Sequence, residues 1–272
     1  VTVAGLAYCR DKAAPEGSSL HYATLFHAEP ARRGLFALFA LYHELLDGFL
    51  AASDPGVARI KLQWWREELD RLEAGNPRHP VSEELLALTG AGGVETAELN
   101  RLPDAVEALF PVVEPGNLET WLDRPDIGRF WRMTARLAAK GDPPAAAETG
   151  ILLSRLELLQ QLPPLLRLGI NPLPEPVLAA HGLDRDRLLA EPAAAAGLAA
   201  ELVDTVATRL DEAYRRGKAG DPLFILILNR LGATLCREIR RDGYALLQRR
   251  VALTPIRKLW IAARTRYARA LP

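Results

Sequence analysis

Apolar residues recur at helical spacing along almost the whole chain. Leu35, Leu38, Phe39, Tyr42, Leu45, Leu46 and Phe49 repeat at three- and four-residue intervals, the mark of one buried helix face. Pro30 stands where that helix would start, and Pro55-Gly56 lies after its end. A second helix is predicted from about Val57 to Ala74, with Gly75-Asn76-Pro77 as its stop, and shorter ones over about 80–89 and 95–110. Pro111 and Pro115-Gly116 break the pattern, and Pro125 divides the next region. Residues 144–168 read as a helix interrupted or kinked at Pro163-Pro164, and residues 171–176, rich in proline, as a loop. Long helices follow over about 194–216 and 222–249, and the last starts near Pro255. No period-two run of β-branched residues with hairpin turns occurs, and no repeat or convincing linker. The pattern predicts an all-α protein, one domain over residues 1–272 with roughly ten or more helices.

Composition supports a sizeable core: 49% of residues are hydrophobic and 25% charged, the balance of a soluble globular chain. Lys and Arg equal Asp and Glu at 34 each, so bulk charge points neither to nucleic acid nor to an acidic partner. Cys9 and Cys236 stand too far apart to suggest a disulfide framework or a zinc cluster, and a reducing, cytoplasmic setting is the expectation. Arg10, Asp11 and Lys12 precede any long apolar run, so no signal peptide is read. The longest apolar stretches, Leu35–Leu41 and Leu223–Leu228, are too short to span a bilayer. No nucleophile elbow, CxxC or HExxH is present, and Gly90-Ala91-Gly92-Gly93 lacks the lysine of a phosphate-cradling loop.

Positive chemistry begins with Ser18-Ser19-Leu20-His21-Tyr22-Ala23, Arg32-Arg33, Ala37-Leu38-Phe39-Ala40-Leu41-Tyr42 and Lys61-Leu62-Gln63-Trp64-Trp65-Arg66-Glu67-Glu68-Leu69. Further on come Leu173-Pro174, Leu178 and His181-Gly182-Leu183, then Arg249-Arg250-Val251 and Lys258-Leu259. Together these segments resemble the squalene/phytoene synthase family, most specifically at the tryptophan pair with its downstream acid. The resemblance implies a helical isoprenoid-synthase (terpenoid synthase) fold around a central cavity. It also implies two aspartate-rich motifs on facing helices, whose carboxylates hold magnesium against a substrate diphosphate. Aligned without gaps, the first motif falls on Leu46 and Leu50, with Asp47 and Glu44 kept beside it and His43 at the place of the usual arginine. The second falls on Gln161 and Leu165. Leucine cannot ligate magnesium, and a glutamine carbonyl brings no charge. The family's small-residue channel segment falls on Thr134–Ala139, where Arg136 is expected either to block the channel or to put a cation in it. This profile resembles the non-catalytic branch of the family, which includes an assembly factor of mitochondrial complex I.

His43, Glu44 and Asp47 share one helical face, and Glu157 and Gln161 are placed to face them. The group reads either as a reduced metal or diphosphate site, with Glu44, Asp47 and Glu157 as metal candidates, or as a polar network in which His43 pairs with Asp47. Ser19, His21, Tyr22, His43, Gln161 and Arg136 are the candidate substrate-binding residues, although Ser18 or Ser19 equally reads as a helix cap. Trp64-Trp65 reads as a cover for an isoprenoid tail or as core. From Cys236 to Pro272 ten cations face two acids, a pattern that suits an anionic membrane surface, a protein partner or a solvated helix face. No nucleic-acid motif accompanies it. Two functions follow from the resemblance. One is a binding protein without cofactor, holding an isoprenoid or other lipid or assisting assembly at the inner-membrane surface. The other is an active prenyltransferase that condenses two prenyl diphosphates through a degenerate magnesium site at Glu44, Asp47 and Glu157.

Overall fold

Punctuation in the sequence sets most of the helix boundaries in the structure, a computed structural model that describes residues 3–50, 55–90, 93–110, 116–139 and 141–270. Helix α1 (Val3–Ala13) leads into α2 (Ser19–Thr24), whose N-cap is Ser18: its hydroxyl accepts from the His21 amide at 3.1 Å. Next come α3 (Glu29–Leu50), α4 (Pro55–Glu73), α5 (Pro80–Gly90), α6 (Thr96–Leu99) and α7 (Leu102–Glu107). The middle of the chain forms α8 (Leu118–Leu122), α9 (Pro125–Arg136), α10 (Ala146–Gln160) and α11 (Leu162–Arg167). The remainder forms α12 (Glu175–Ala180), α13 (Arg185–Ala190), a 3-10 turn over Pro192–Ala195, α14 (Ala196–Gly217), α15 (Leu223–Arg241) and α16 (Pro255–Ala270). The described residues contain no strand.

Three boundaries differ from the periodic reading. Pro55 opens α4, because a proline at the first helical position forfeits only an amide that has no partner there. The helix expected over 95–110 is two short ones, divided just before Pro103. The helix expected to reach residue 249 ends at Arg241, where Gly243 (φ 73°) and Tyr244 (φ 59°) turn left-handed and cannot continue it. Apolar spacing runs on past that turn because Leu246 is buried in a neighbouring cluster. Helix α1 shows no clear apolar periodicity, whereas α9 carries a well-defined apolar face, with Ile127, Phe130, Trp131 and Thr134 buried, that the periodic reading does not assign to a helix.

Helix α3 lies centrally, with α1, α4, α5 and α7 packed on it. Leu35, Leu38, Leu41 and Leu45 are wholly buried, each worth roughly 1.5–3 kcal/mol of burial. A second apolar cluster gathers on α14, and α10 and α15 contribute to both. Helices α9 and α10 cross closely at Gly150, where an added Cβ would meet the Trp131 ring at 1.8 Å. Glu68, in the tryptophan-pair motif, is fully buried and accepts from the backbone amides of Arg78 and His79 and from Arg71. Burial works to raise its carboxyl, but these donors outweigh it and hold the pKa low. That acid therefore pins the α4–α5 connection.

Candidate functional site

A cavity of about 370 Å³ lies between α3, α10 and α15, with walls from both ends of the chain. Phe39, Trp131, Leu153, Leu156, Leu228, Leu231 and Leu235 make its apolar side. Its polar side brings together Lys12 from α1, Ser18 and Ser19 at the start of α2, and His43 from α3. Glu157 and Gln160 come from α10, Arg250 from the stretch after α15, and Lys258 from α16. Trp131 Nε1 and the Tyr42 hydroxyl both reach the Ser154 oxygen at 3.4 Å, so these walls are held by one another. Gln160 Nε2 donates to the Val251 carbonyl at 2.6 Å and ties the C-terminal stretch across the cavity.

The acids beside the first motif do not line this cavity. Lys12 Nζ lies 3.1 Å from Glu44 and 2.9 Å from Asp47, and the Tyr8 hydroxyl donates to Glu44 at 2.5 Å. Burial opposes the Lys12 ammonium, but its bonds to Asp47 and Glu44 hold its pKa up. Tyr8 is pushed up to about 12 by burial and by the Glu44 carboxylate. The expected His43–Asp47 pair is not made: His43 Nδ1 faces the Lys12 carbonyl at 3.2 Å, and Asp47 turns to Lys12.

Glu157 is half-buried in the cavity wall. Burial raises its carboxyl, against the opposing pull of His43 and Arg250. Gln161 lies beyond it in a small recess with Leu46 and Leu50. Among the described residues no three His, Cys, Asp or Glu side chains are grouped to hold a metal ion. The donor set offered to magnesium is thus one carboxylate in the wall and two already bonded to a lysine, which does not fit a multinuclear centre.

Other candidates are dispersed. Ser19 lines the cavity, whereas His21 lines a separate depression and Tyr22 packs edge-on against His21 at the rim of the core. Arg136 neither blocks the cavity nor charges it: at the end of α9 it is half exposed and faces Asp142 at 3.4 Å and Glu98 at 4.0 Å. Trp65 is buried and Trp64 exposed beneath Arg71, and neither lines the cavity; Trp131 does. Cys9 and Cys236 are both buried, and burial pushes their thiols up to about 12, against the thiolate form a nucleophile needs. Arg155, next to Ser154, is wholly buried with its guanidinium 4.6 Å from the Trp121 ring and without hydrogen-bond partners, outside the cavity lining.

Sequence reasoning missed Lys12, Gln160 and the roles of Arg250 and Lys258. Ion pairs in the same region join Arg249 to Asp242 and Arg257 to Glu238, whereas Arg250 and Lys258 line the cavity, the Lys258 ammonium donating to the Gly17 carbonyl at 2.8 Å. Burial and the nearby Arg250 both lower the Lys258 pKa. The available signal was the Arg249-Arg250 and Lys258 pattern, which the resemblance marked without a role.

Helical architecture, a central cavity and the ordered motifs converge on one class of protein. The family model for squalene/phytoene synthase matches residues 13–257, and the chain belongs to that family. The structure is similar to that of squalene synthase HpnC from Alicyclobacillus acidocaldarius, at 20% identity and a TM-score of 0.71, over 90% of this chain and 97% of that one. It is similar also to a dehydrosqualene synthase solved in complex with ligand, at 15% identity and a TM-score of 0.78, over 97% and 96% of the two chains. No curated protein matches the chain.

Proposed function

We propose that this chain binds one amphipathic lipid anion, a prenyl phosphate or diphosphate, in the central cavity, and does not perform the magnesium-dependent condensation. The carrying observation is the exchange of charge at the polar side. Glu44 and Asp47, the acids retained beside the first motif, are bonded to Lys12, while Arg250 and Lys258 face the cavity beside the serines. Cations there do directly what magnesium would do between carboxylates and a diphosphate: they neutralise the head group. The apolar side accepts the tail. A volume of about 370 Å³ is at the low end for small-molecule sites and suits one prenyl chain rather than the two that a head-to-head condensation needs. Walls drawn from residue 12 to residue 258 support reading the chain as one domain. Loss of the acidic motifs supports reading it with the non-catalytic, assembly-factor-like branch of the family. The competing reading, an active prenyltransferase, is favoured by Glu157, whose carboxyl lines the cavity with His43.

Titration with farnesyl diphosphate, followed by calorimetry in EDTA and then in magnesium, tests the binding. The affinity is expected to be the same in both. Arg250→Gln should weaken it about 10- to 100-fold, the range for one charge-assisted hydrogen bond. Geranyl diphosphate should bind more weakly, by about 0.8 kcal/mol for each buried carbon lost. Binding that requires magnesium, or that ignores Arg250, overturns the reading.

A further inference from the structure

Helix α16 is buried on one side only. Ile261, Ala262 and Thr265 face the protein, against α15 and α2. Opposite them, Ile256 is 82% exposed, Trp260 57%, Tyr267 70% and Leu259 46%. At helical spacing these four fall within an arc of roughly 100°, the width of an apolar stripe that ordinarily faces a core. Here it faces outward. Arg264 and Arg266 flank the stripe, one on each side by the same spacing. Arg264 lies over the Trp260 ring at 5.1 Å, and Arg266 over the Phe26 ring at 4.7 Å. The helix carries no acid.

The structure also narrows the basic character of the C-terminal segment. Arg240 pairs with Asp204, Arg241 and Arg257 with Glu238, and Arg249 with Asp242. Arg237 on α15 bonds to the Thr234 hydroxyl, and the other cations, Arg250, Lys258, Arg264, Arg266 and Arg269, lie at the cavity or along α16. A second copy of the chain fits this face poorly. A twofold contact would oppose identical stripes and bring the flanking arginines of both copies together with no acid on the helix to separate them. An anionic surface suits it: apolar side chains enter the headgroup boundary, Trp and Tyr sit at that boundary, and the arginines meet the lipid charge. No described helix is long and apolar enough to cross a membrane, so the contact is superficial.

We propose that the outer face of α16 docks the protein on an anionic lipid bilayer. Lys258, on the opposite side of the same helix by that spacing, lines the cavity, so docking would leave only α16 between the cavity and the lipid surface. The proposal is independent of the cavity ligand, because its test uses vesicles that contain no prenyl phosphate.

Vesicle co-sedimentation of the full chain tests it, comparing phosphatidylcholine alone with phosphatidylcholine containing about 30% phosphatidylglycerol. Partitioning is expected to be at least about tenfold stronger on the anionic vesicles and to weaken with salt. Ile256→Glu with Trp260→Glu should abolish it. Arg264→Gln and Arg266→Gln should each reduce it about fivefold. Ile60→Glu, on the exposed side of α4 at 71% exposure, should leave it unchanged, with circular dichroism confirming that every variant is folded. No partitioning at low salt, equal binding to both vesicle types, or loss with Ile60→Glu as well would overturn the proposal. So would a dimer in sedimentation equilibrium that Trp260→Glu dissociates, which would assign the face to a second copy.

Discussion

At Glu157 burial and charge pull in opposite directions, and burial wins: the carboxyl pKa is raised despite His43 and Arg250. A raised acid favours the protonated folded form. Its contribution to stability is complete below about pH 4.5, where an unfolded glutamate titrates, and is lost as pH rises through the folded value. Glu157→Gln keeps the shape and removes the ionisation. We expect the variant to melt with the wild type at about pH 4 and above it at about pH 8, in thermal scans across that range. A constant difference at all pH values would show that Glu157 is not opposed by its surroundings. The residues of the site were partly legible in the sequence. His43 and Glu157 were visible because helical spacing fixes which side chains share a face. Lys12 was not, since it acts through a helix with no periodic signal, and its partners Glu44 and Asp47 were read as metal candidates. Arg136 misled because an alignment position says nothing of the direction a long side chain takes at a helix end.

Between elements, the tightest contact is the crossing of α9 and α10 at Gly150. A methyl group there would overlap Trp131, and that ring is also cavity wall. Gly150→Ala should cost roughly 1–3 kcal/mol, the usual penalty for overpacking, and should push the indole toward the cavity. Chemical denaturation measures the first effect, and weakened farnesyl diphosphate binding the second. A neutral substitution would mean that the two helices slide apart freely. The long helices were legible because their apolar stripes exceed three turns and end at proline or glycine. Among the short ones, α6 and α7 were legible as a single helix and α11 as the kinked end of a longer one, while α8, α12 and α13 were not legible as helices. The overrun of α15 has a clear cause: Leu246 and Leu247 continue a helical rhythm although Gly243 and Tyr244 have already turned the backbone.

At the scale of the whole molecule, the fold belongs to the squalene/phytoene synthase family, and its cavity is charged in a different way from a magnesium site. The all-α class could be read from periodicity alone. The cationic side could not, because Lys12 on α1 lies far in sequence from Arg250 and Lys258 at the C-terminal end, and only the fold brings them to one cavity. The two faces of the C-terminal helix let it serve two surfaces at once, Lys258 toward the cavity and Trp260 toward the outside. In this reading the cavity holds its ligand with cations rather than processing it through metal. Incubation with farnesyl or geranylgeranyl diphosphate, magnesium and reductant, with release of inorganic diphosphate as the readout, tests it most directly. No release above the protein-free background is expected; release that requires magnesium and disappears in Asp47→Ala would overturn this reading.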